Sequence, residues 1–580
     1  MATNSLAWKI GGEAGSGIKV TGEMWARLCH HLGLNVYGYT EYPSLIRGGH
    51  NTYHVFADEH PIKSTTERVE LLVALNKETI DLHISEMSPG GIILYDGEQF
   101  EIDEAEYNVS FVSFFSVPIK RLAIEAAEMD LMKNTVALGA SCALVKVDEA
   151  VLNAVIEKIF SRKGEKVVAL NQKAAKAGFE YVRNHWDKEY EYSLVGRESE
   201  PSLLLTGNEA LSLGALAAGI DYYGAYPMTP ASSVLDFMAA YGPQHGVVVR
   251  QTEDEIAAIN TAIGASLGGV RAMTGTSGGG FSLMVEALGM AGIVETPLVV
   301  LESQRPGPST GLPTWGGQDD LRFVLHASQG EFPRVVLAPG DPEECFYETA
   351  NAFNLADQYQ LPVIILSDKF LSESIAMTPE FDNEKVTIDR GKWATDHELN
   401  GPERFKRYLD TEDGISSRPL PGKEGGVFLA NSDEHDEFGY SREESSTRNQ
   451  QNNKRLRKLE HVKQALPVPR VYGPLSAEVT LICWGSVKGP ALDSLALLMK
   501  TGIKANVLHL VYVSPFPSEY VAKIMQTSKT TIVVENNVTA QCAGLIREMT
   551  GEKADHLIGK SDGRPFTPEE IMREVNNVLK

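Results

Sequence analysis

Short apolar runs alternate with longer amphipathic segments along most of the chain. Runs such as LAWKI, LLVALN, LVVLES and VTLICWG have the length and β-branched composition of buried strands. The segments between them, such as EIAAINTAIGASLGG and GPALDSLALLMKTG, repeat apolar residues at helical spacing. Strands that alternate with helices are typical of parallel sheets covered by helices. The pattern therefore predicts an α/β fold.

Changes in this pattern divide the chain into four segments. The polar stretch at 186–202 contains a proline and predicts a linker, and residues 380–470 are poor in apolar side chains. The acidic-then-basic stretch 431–463 is interpreted as either a mobile cover or a plain solvated surface. We expect α/β domains over 1–190, 200–380 and 471–580, and an extension or lid-like segment over 381–470.

The composition narrows the class of protein. The 580 residues are 43% hydrophobic and 22% charged, which is typical of a folded globular chain of several domains. The net charge of −24 repels nucleic-acid phosphates and anionic lipid, so neither is expected as a partner. No apolar run reaches the ~18 residues of a membrane span, and the first residues do not resemble a signal peptide. These features predict a cytoplasmic protein.

The cysteines are scattered and form no metal-binding pair. Cys29, Cys142, Cys345, Cys483 and Cys542 include no C-x-x-C spacing, which excludes a local zinc ribbon or ferredoxin-type cluster built by this chain alone. Lone thiols suit a reducing compartment. Any electron carrier for redox chemistry is then expected on another protein, and no metal site is predicted here.

Two glycine-rich turns are candidates for anion binding. GGEAGSG, from Gly11 to Gly17, lies between a strand and a helix, where backbone N–H groups can approach a phosphate. A tight strand–helix turn explains the same residues. TGTSGGGFSLM has the same setting and also contains the G-x-S-x-G pattern of a hydrolase nucleophile at Ser277. A serine hydrolase would need an acid and a histidine downstream, and nothing in the sequence marks that histidine.

Three further segments place polar side chains at element ends. Thr252 is followed three residues later by Glu255, which predicts a capping box at the start of a helix. In YPMTPASS, two prolines flank Thr229 in a stiff turn. Arg305 directly follows the strand LVVLESQ, a position from which it can bind a carboxylate bidentately. An ion pair of Arg305 with Glu302 or Asp319 is the alternative.

In this order, the segments resemble the 2-oxoacid:ferredoxin oxidoreductases. The glycine turn, YPSLIRGGHNTYHVFADEHPI and NTVALGA are similar to the family's gamma domain, although Ala14 and Ser16 depart from its pattern. YPMTPASS, TEDEIAAINTAIGAS, TGTSGGG and QRPGPSTGLPT resemble the alpha subunit's pyrimidine-type thiamine-diphosphate domain. ICWGSVKG, VVENNVTAQ and SDGRPFTPEEI resemble its transketolase-C-like domain. The fused arrangement, with DGISSRPLPG and EHDEFG, is most similar to the 2-oxoglutarate branch.

The resemblance implies roles for individual residues. Glu255 matches the glutamate that contacts N1′ of the cofactor's aminopyrimidine, and Thr229 and Arg305 match residues that hold the substrate's 1-carboxylate. Arg418 is the candidate for the distal carboxylate of 2-oxoglutarate, unless a partner subunit supplies that cation. The remaining candidates are Tyr226 for the substrate, Pro227, Thr276, Ser277 and Gly278 for the cofactor, and Gly12, Gly15, Gly17, Arg47, Gly48 and Gly49 for coenzyme A.

The resemblance also implies that this chain holds only half of an active site. The pairs Asp96-Gly97, Asp413-Gly414 and Asp562-Gly563 lack the preceding glycine of the superfamily's Mg²⁺ and diphosphate motif. In the family, Mg²⁺ and a [4Fe–4S] cluster belong to a beta subunit, in an α2β2 assembly that passes electrons to ferredoxin. We therefore expect a shared thiamine-diphosphate site at the subunit interface and coenzyme A as co-substrate.

The function implied is oxidative decarboxylation of 2-oxoglutarate to succinyl-CoA and CO2, or the reverse. The alternatives are the same chemistry on pyruvate or a branched-chain 2-oxo acid, a binding or regulatory subunit without a catalytic part, and a serine hydrolase that uses Ser277.

Overall fold

The computed structural model describes residues 4–45, 48–107 and 109–580. These residues form two compact units. The first unit comprises the described residues of Met1–Leu205 with Glu373–Glu380 and Thr567–Glu570. The second comprises Thr206–Ser372, Phe381–Phe566 and Ile571–Lys580.

Strands and helices alternate through both units, as the apolar pattern predicts. The strands β1 to β20 are, in chain order, Ser5–Glu13, Asn35–Glu41, His50–Asp58, Val69–Ala74, Met87–Tyr95, Ser113–Ser116, Ser202–Thr206, Tyr222–Ala225, Val248–Gln251, Ala272–Thr276, Leu298–Gln304, Val335–Leu337, Pro362–Asp368, Ile375–Pro379, Arg470–Tyr472, Val479–Trp484, Ala505–Leu510, Tyr512–Ser514, Thr530–Glu535 and His556–Gly559. The helices α1 to α19 are Ile18–His31, Lys77–His83, Ile119–Ala127, Lys133–Leu144, Glu149–Phe160, Glu165–His185, Gly207–Ala217, Ser232–Tyr241, Glu255–Leu267, Gly278–Ile293, Leu321–His326, Pro342–Tyr359, Lys369–Glu373, Asp396–Leu399, Ser445–Ala465, Lys488–Lys500, Ser518–Thr527, Gln541–Thr550 and Pro568–Val578. None of these described helices has the length and apolarity needed to cross a bilayer.

The first unit is built on one mixed sheet. Its order is β6-β5-β4-β1-β3-β2-β14-β7, with β6, β5, β4 and β1 parallel and β3 antiparallel to both β1 and β2. Helices α4 and α6 pack with their backbones touching, since a Cβ on Gly139 would lie 1.9 Å from the carbonyl oxygen of Ala175. β7 and β14 lie in the range expected for the second domain. They join this sheet because β2 offers β14 an open edge, where Ile375 pairs with Gly38.

The second unit contains two further sheets. The larger has the order β18-β12-β13-β11-β10-β8-β9, and all its strands are parallel except β18. The smaller has the order β15-β17-β16-β19-β20, with β15 antiparallel. Parallel strands point their carboxyl ends the same way, so the larger sheet has a carboxyl edge, where these strands end, and an amino edge, where they begin.

The extension packs against the amino edge through buried charge. Glu295 precedes β11 and forms ion pairs with Lys454, at 2.5 Å, and with Lys458, and all three side chains are fully buried. Both lysines lie on α15, inside the stretch interpreted as a cover or a solvated surface. That interpretation is wrong for this face of α15. A carboxylate distant in sequence supplies the counter-charge that lets the lysines be buried.

Candidate active site

The carboxyl edge of the larger sheet collects most of the predicted site residues of the second unit. Tyr226, Pro227 and Thr229 follow β8, and Glu255 follows β9. Thr276 ends β10, Ser277 and Gly278 come next, and Arg305 follows β11. Ligands of open parallel sheets bind at this edge. The fold therefore brings together residues from four separate stretches of the sequence.

Glu255 is the first residue of α9, and its side chain is not the N-cap of that helix. The N-cap is Asp254, whose Oδ1 accepts a hydrogen bond of 2.7 Å from the N–H of Ala257. The Thr252 hydroxyl donates instead to the Asp254 carbonyl oxygen, at 2.9 Å. The predicted capping box between Thr252 and Glu255 is therefore wrong, because Asp254 takes its place. The Glu255 side chain remains available for another role.

The Glu255 carboxyl is buried beside a glycine that leaves room for it. The residue is 3% exposed, and within the described residues Oε1 has no hydrogen-bond partner. A Cβ on Gly280 would lie 2.5 Å from that oxygen and 2.1 Å from the Thr276 hydroxyl oxygen. Burial raises the pKa of Glu255, and the charge of Asp254 raises it further. The site thus holds a carboxyl group whose protonated form is favoured over that of an exposed glutamate.

Ser277 is the N-cap of α10 and presents an unused hydroxyl. Its Oγ is buried, makes no capping bond, and has no partner in the part of the chain that the structure describes. No described histidine therefore contacts Ser277 in the way a hydrolase nucleophile requires. The serine-hydrolase hypothesis has no support in this geometry, and Ser277 fits the role of polar lining.

Arg305 links two segments of the carboxyl edge. Its Nη1 donates to the carbonyl oxygen of Thr229 at 2.7 Å, and its Nε has no partner among the described residues. The contact between these two predicted substrate-binding residues thus runs through the backbone of Thr229. Tyr226 and Pro227 lie just before it on the same turn, with Tyr226 exposed. An arginine with donor capacity to spare at this edge is suited to bind a carboxylate.

Two carboxyl groups behind Arg305 belong to the site, although the sequence indicated Glu302 only as a possible ion-pair partner. Glu302 lies on β11, fully buried, and its side chain is within hydrogen-bonding distance of the Asp320 carboxyl. The Asp320 N–H donates to Gln304 Oε1 at 3.0 Å, which fixes this residue beside β11. Asp320 Oδ2 would lie 2.4 Å from a Cβ on Gly278. The acidic residue inside the apolar run LVVLESQ is the feature of the sequence from which a role of Glu302 in the site could have been predicted.

Arg418, the candidate for the distal carboxylate of the substrate, does not lie at the carboxyl edge with the other candidates. Its Nη2 forms an ion pair of 3.0 Å with Asp357 Oδ1, and the same carboxylate binds Arg271 and Arg390. Arg271 immediately precedes β10, and its N–H bonds Asp221, which precedes β8, so this cluster lies at the amino edge. Within this chain, Arg418 is a structural cation that shares the Asp357 carboxylate with Arg271 and Arg390. It is therefore not part of the proposed site.

The two glycine-containing turns proposed for coenzyme A, around Gly15 and around Gly48, lie next to each other in the first unit. Gly12 and Glu13 are the last two residues of β1. The N–H of the next residue, Ala14, donates a hydrogen bond of 3.3 Å to the Gly49 carbonyl oxygen. Positive φ values, which favour glycine, occur at Gly15 (84°), Gly17 (77°), Gly48 (73°) and Gly49 (82°). Arg47 lies outside the described residues. The turn therefore has open backbone at the carboxyl end of β1.

A polar network lies beside this turn. His83 lies between His50, with 2.9 Å between the two Nε2 atoms, and Glu86, with 2.7 Å from Nδ1 to Oε1. Lys9 forms an ion pair with the same glutamate. Burial lowers the pKa of His50 to about 4, and the imidazole is therefore neutral at pH 7. No sequence motif marks this network, in which β1 and β3 supply Lys9 and His50, and α2 and the turn after it supply His83 and Glu86.

Family models match the chain over three successive stretches. The model described as pyruvate ferredoxin/flavodoxin oxidoreductase matches residues 7–181. The one described as pyruvate flavodoxin/ferredoxin oxidoreductase, thiamine diphosphate binding, matches 213–453, and pyruvate:ferredoxin oxidoreductase core domain II matches 477–571. Together with the three sheets, these matches confirm the predicted α/β class and its thiamine-diphosphate-binding domain.

Individual relatives match over nearly the whole length. The chain is 33% identical to 2-oxoacid:ferredoxin oxidoreductase subunit alpha of Saccharolobus solfataricus, covering 99% of this chain and 98% of the relative. It is 33% identical to 2-oxoglutarate synthase subunit KorA of Methanothermobacter thermautotrophicus over 65% of this chain and 98% of the relative. A solved 2-oxoglutarate:ferredoxin oxidoreductase from Magnetococcus marinus, with 2-oxoglutarate, coenzyme A and succinyl-CoA bound, covers 100% of both chains at 33% identity and a TM-score of 0.92. The resemblance found in the sequence is confirmed: this chain belongs to the 2-oxoacid:ferredoxin oxidoreductases, enzymes that depend on thiamine diphosphate, as an alpha subunit.

Proposed function

We propose that the chain acts on 2-oxoglutarate, converting it with coenzyme A to succinyl-CoA and CO2, or in reverse, with electrons exchanged with ferredoxin. The substrate bound in the Magnetococcus structure and the names of the KorA relatives support this choice. Pyruvate or a branched-chain 2-oxo acid, with the same chemistry, is the alternative. The cytoplasmic location stays a prediction.

The observation that carries the proposal is the Glu255 carboxyl in its pocket. A buried oxygen without a partner is costly, which favours a ligand that bonds to it. The aminopyrimidine of thiamine diphosphate offers a ring nitrogen of this kind. Gly280 leaves the space beside Glu255 that any side chain would fill. The residues present therefore fit the pyrimidine end of the cofactor, with Pro227, Thr276, Ser277 and Gly278 as lining.

When bound, thiamine diphosphate supplies the nucleophilic carbon and the electron sink for decarboxylation. Glu255 holds a proton at a carboxyl oxygen and shares it with the aminopyrimidine nitrogen. Its pKa, which burial raises, shifts toward the range in which a carboxyl both gives and accepts a proton readily.

Arg305 and Thr229 orient the substrate. The guanidinium binds the 1-carboxylate, and its bond to the Thr229 carbonyl oxygen fixes the plane in which it does so. Held in this way, the 2-oxo carbon is presented in one orientation, which lowers the entropy cost of the reaction. Burial of the pocket then favours release of neutral CO2 over the charged carboxylate.

A beta subunit would complete the site. We propose that it holds the diphosphate, Mg²⁺ and a [4Fe–4S] cluster, passes electrons to ferredoxin, and joins this chain in an α2β2 assembly. The support is the sequence, which has no Gly-Asp-Gly motif and no C-x-x-C pair. The names of the relatives as alpha subunits agree with a partner.

The glycine turn of the first unit is proposed to contact coenzyme A. Its left-handed glycines Gly15, Gly17, Gly48 and Gly49 leave backbone accessible to a phosphate at the start of α1. Gly12 and Arg47 remain in this proposal on the resemblance alone.

The test replaces Glu255 in the complex reconstituted with its beta subunit. Glu255→Gln and Glu255→Ala are expected to lower kcat by about 10²- to 10⁴-fold, the contribution of a positioned acid–base group. Glu253→Gln, an exposed neighbour with the same charge change, is the control and should keep activity. Near-normal turnover of both Glu255 variants would contradict the proposal and favour a binding subunit.

Substrate identity is settled by reduction of a viologen dye with a panel of 2-oxo acids. The proposal predicts the highest kcat/KM for 2-oxoglutarate. If 2-oxoglutarate is inert while pyruvate or a branched-chain acid reacts, the substrate assignment fails and the reaction class stands. Covalent labelling of Ser277 by a fluorophosphonate is expected to fail.

A further inference from the structure

A pair of carboxyl groups lies directly behind Arg305. Asp320 stands at the N-cap position of α11, yet its side chain makes no capping bond there. It turns instead toward Glu302, whose two carboxyl oxygens are fully buried and receive no hydrogen bond from an N–H or hydroxyl of the described residues. Two ionised carboxylates repel each other at this distance. A single proton held between them supplies the missing donor.

The surroundings favour that single proton. Arg305 is the cation that faces both carboxyl groups, while Asp368 adds negative charge on the side of Glu302 and Asp319 on the side of Asp320. Burial raises the pKa of Glu302 well above its usual range and that of Asp320 to about 6. Both shifts favour retention of one proton by the pair, which would leave one negative charge opposite the positive charge of Arg305.

We propose that Glu302 and Asp320 are positioning residues that share one proton and so leave the Arg305 guanidinium free to bind the 1-carboxylate of the substrate. With one negative charge, the pair holds Arg305 at the carboxyl edge and leaves hydrogen-bond donors of the guanidinium free for the substrate. With two charges, the pair would bind the guanidinium itself and repel the incoming carboxylate. The inference rests on the proposed function only in that Arg305 binds substrate.

A pH dependence of substrate binding follows. As pH rises through the upper pKa of the pair, the second negative charge develops and the substrate binds more weakly. The KM of the 2-oxo acid should rise by about tenfold per pH unit above that pKa, while kcat changes little. The inhibition constant of a 2-hydroxy acid, which keeps the 1-carboxylate but cannot be decarboxylated, should rise in parallel.

The test compares pH profiles of the reconstituted complex between about pH 6 and 9, the range that brackets the expected ionisation. Asp320→Asn and Glu302→Gln keep the shape and a hydrogen bond but limit the pair to one negative charge, so neither should reach the high KM and inhibition constant that the unchanged complex shows at the alkaline end of the range. Asp319→Asn is the matched control, since it removes a neighbouring charge outside the pair and should keep the rise. Thermal unfolding of each variant checks that it is folded.

A KM of Asp320→Asn that is as high at the alkaline end of the range as that of the unchanged complex overturns the proposal, and so does a loss of kcat at all pH values with an unchanged KM profile. Asp320 is only half-buried, so its variant decides the matter even if Glu302→Gln does not fold. Arg305→Ala separates this failure from failure of the proposed function. If Arg305→Ala keeps a normal KM while the complex still turns over 2-oxoglutarate, then Arg305 does not bind substrate, this inference falls, and the proposed reaction stands.

Discussion

Replacing Gly280 by alanine tests how closely Glu255 must be held. The new Cβ would lie 2.5 Å from Glu255 Oε1 and 2.1 Å from the Thr276 hydroxyl, where ordinary contacts begin at 3.4 Å. Thr276 is fully buried on the interior strand β10, whereas the glutamate carboxyl ends a flexible side chain. The carboxyl is therefore the group that moves, by about 1 Å.

A displacement of that size is large for catalysis and small for folding. Misplacing a reacting group by about 1 Å can cost about 100-fold in rate. We expect Gly280→Ala to lower kcat of the reconstituted complex by about 100-fold. This movement does not relieve the contact with the Thr276 hydroxyl, so some loss of stability is also expected, which thermal unfolding measures.

The matched control is Gly264→Ala. Gly264 lies in α9, the helix that begins at Glu255, and a Cβ there meets nothing within 4 Å. Alanine at position 264 has a higher helix propensity than glycine and contacts no neighbouring group, so this variant should keep full activity. The assay is dye reduction under single-turnover conditions, with thermal unfolding of each variant. A folded Gly280→Ala complex with the kcat of the unchanged protein would refute the assigned position of the Glu255 carboxyl.

Two further predictions concern the buried charges of the amino edge. Glu295→Gln leaves Lys454 and Lys458 without a counter-charge and should lower the free energy of unfolding by about 3–5 kcal/mol, measured by chemical denaturation. Lys458→Met leaves the ion pair of Glu295 with Lys454 intact and should lower the free energy of unfolding by less. Equal losses in the two variants would contradict this reasoning. Arg418→Met should lower stability by about 1.5–3 kcal/mol through its lost bonds to Asp357 and leave the KM for 2-oxoglutarate unchanged. A raised KM in a stable Arg418→Met variant would instead restore the role in substrate binding that the sequence suggested.

Strands with continuous apolar runs were predictable from the sequence. LVVLESQ corresponds to β11 and ANVLHL to β17, because strands buried on both faces need apolar residues throughout. Helix starts were less certain. Thr252 and Asp254 are both residue types that favour the N-cap position. The choice of Asp254 depends on where β9 ends, at Gln251, and on the turn that follows it.

Contacts between distant residues were beyond sequence reasoning. The polar composition of α15 predicts solvent exposure, and only Glu295, more than 150 residues earlier, explains why its lysines are buried. The same holds for Arg418 and Asp357. At the carboxyl edge, Glu255 and Arg305 were found through motifs, whereas the proximity of Asp320 to Glu302 depends on how the loop after Arg305 folds back.

The central claim is that this chain supplies one wall of a cofactor site and needs a second subunit for the other. The most direct measurement is 2-oxoglutarate-dependent dye reduction by the purified chain with added thiamine diphosphate, Mg²⁺ and coenzyme A, before and after addition of the beta subunit. We predict no turnover and weak cofactor retention by the chain alone, and full turnover in the complex. Turnover of 2-oxo acids by the isolated chain, with tightly held cofactor, would contradict the claim.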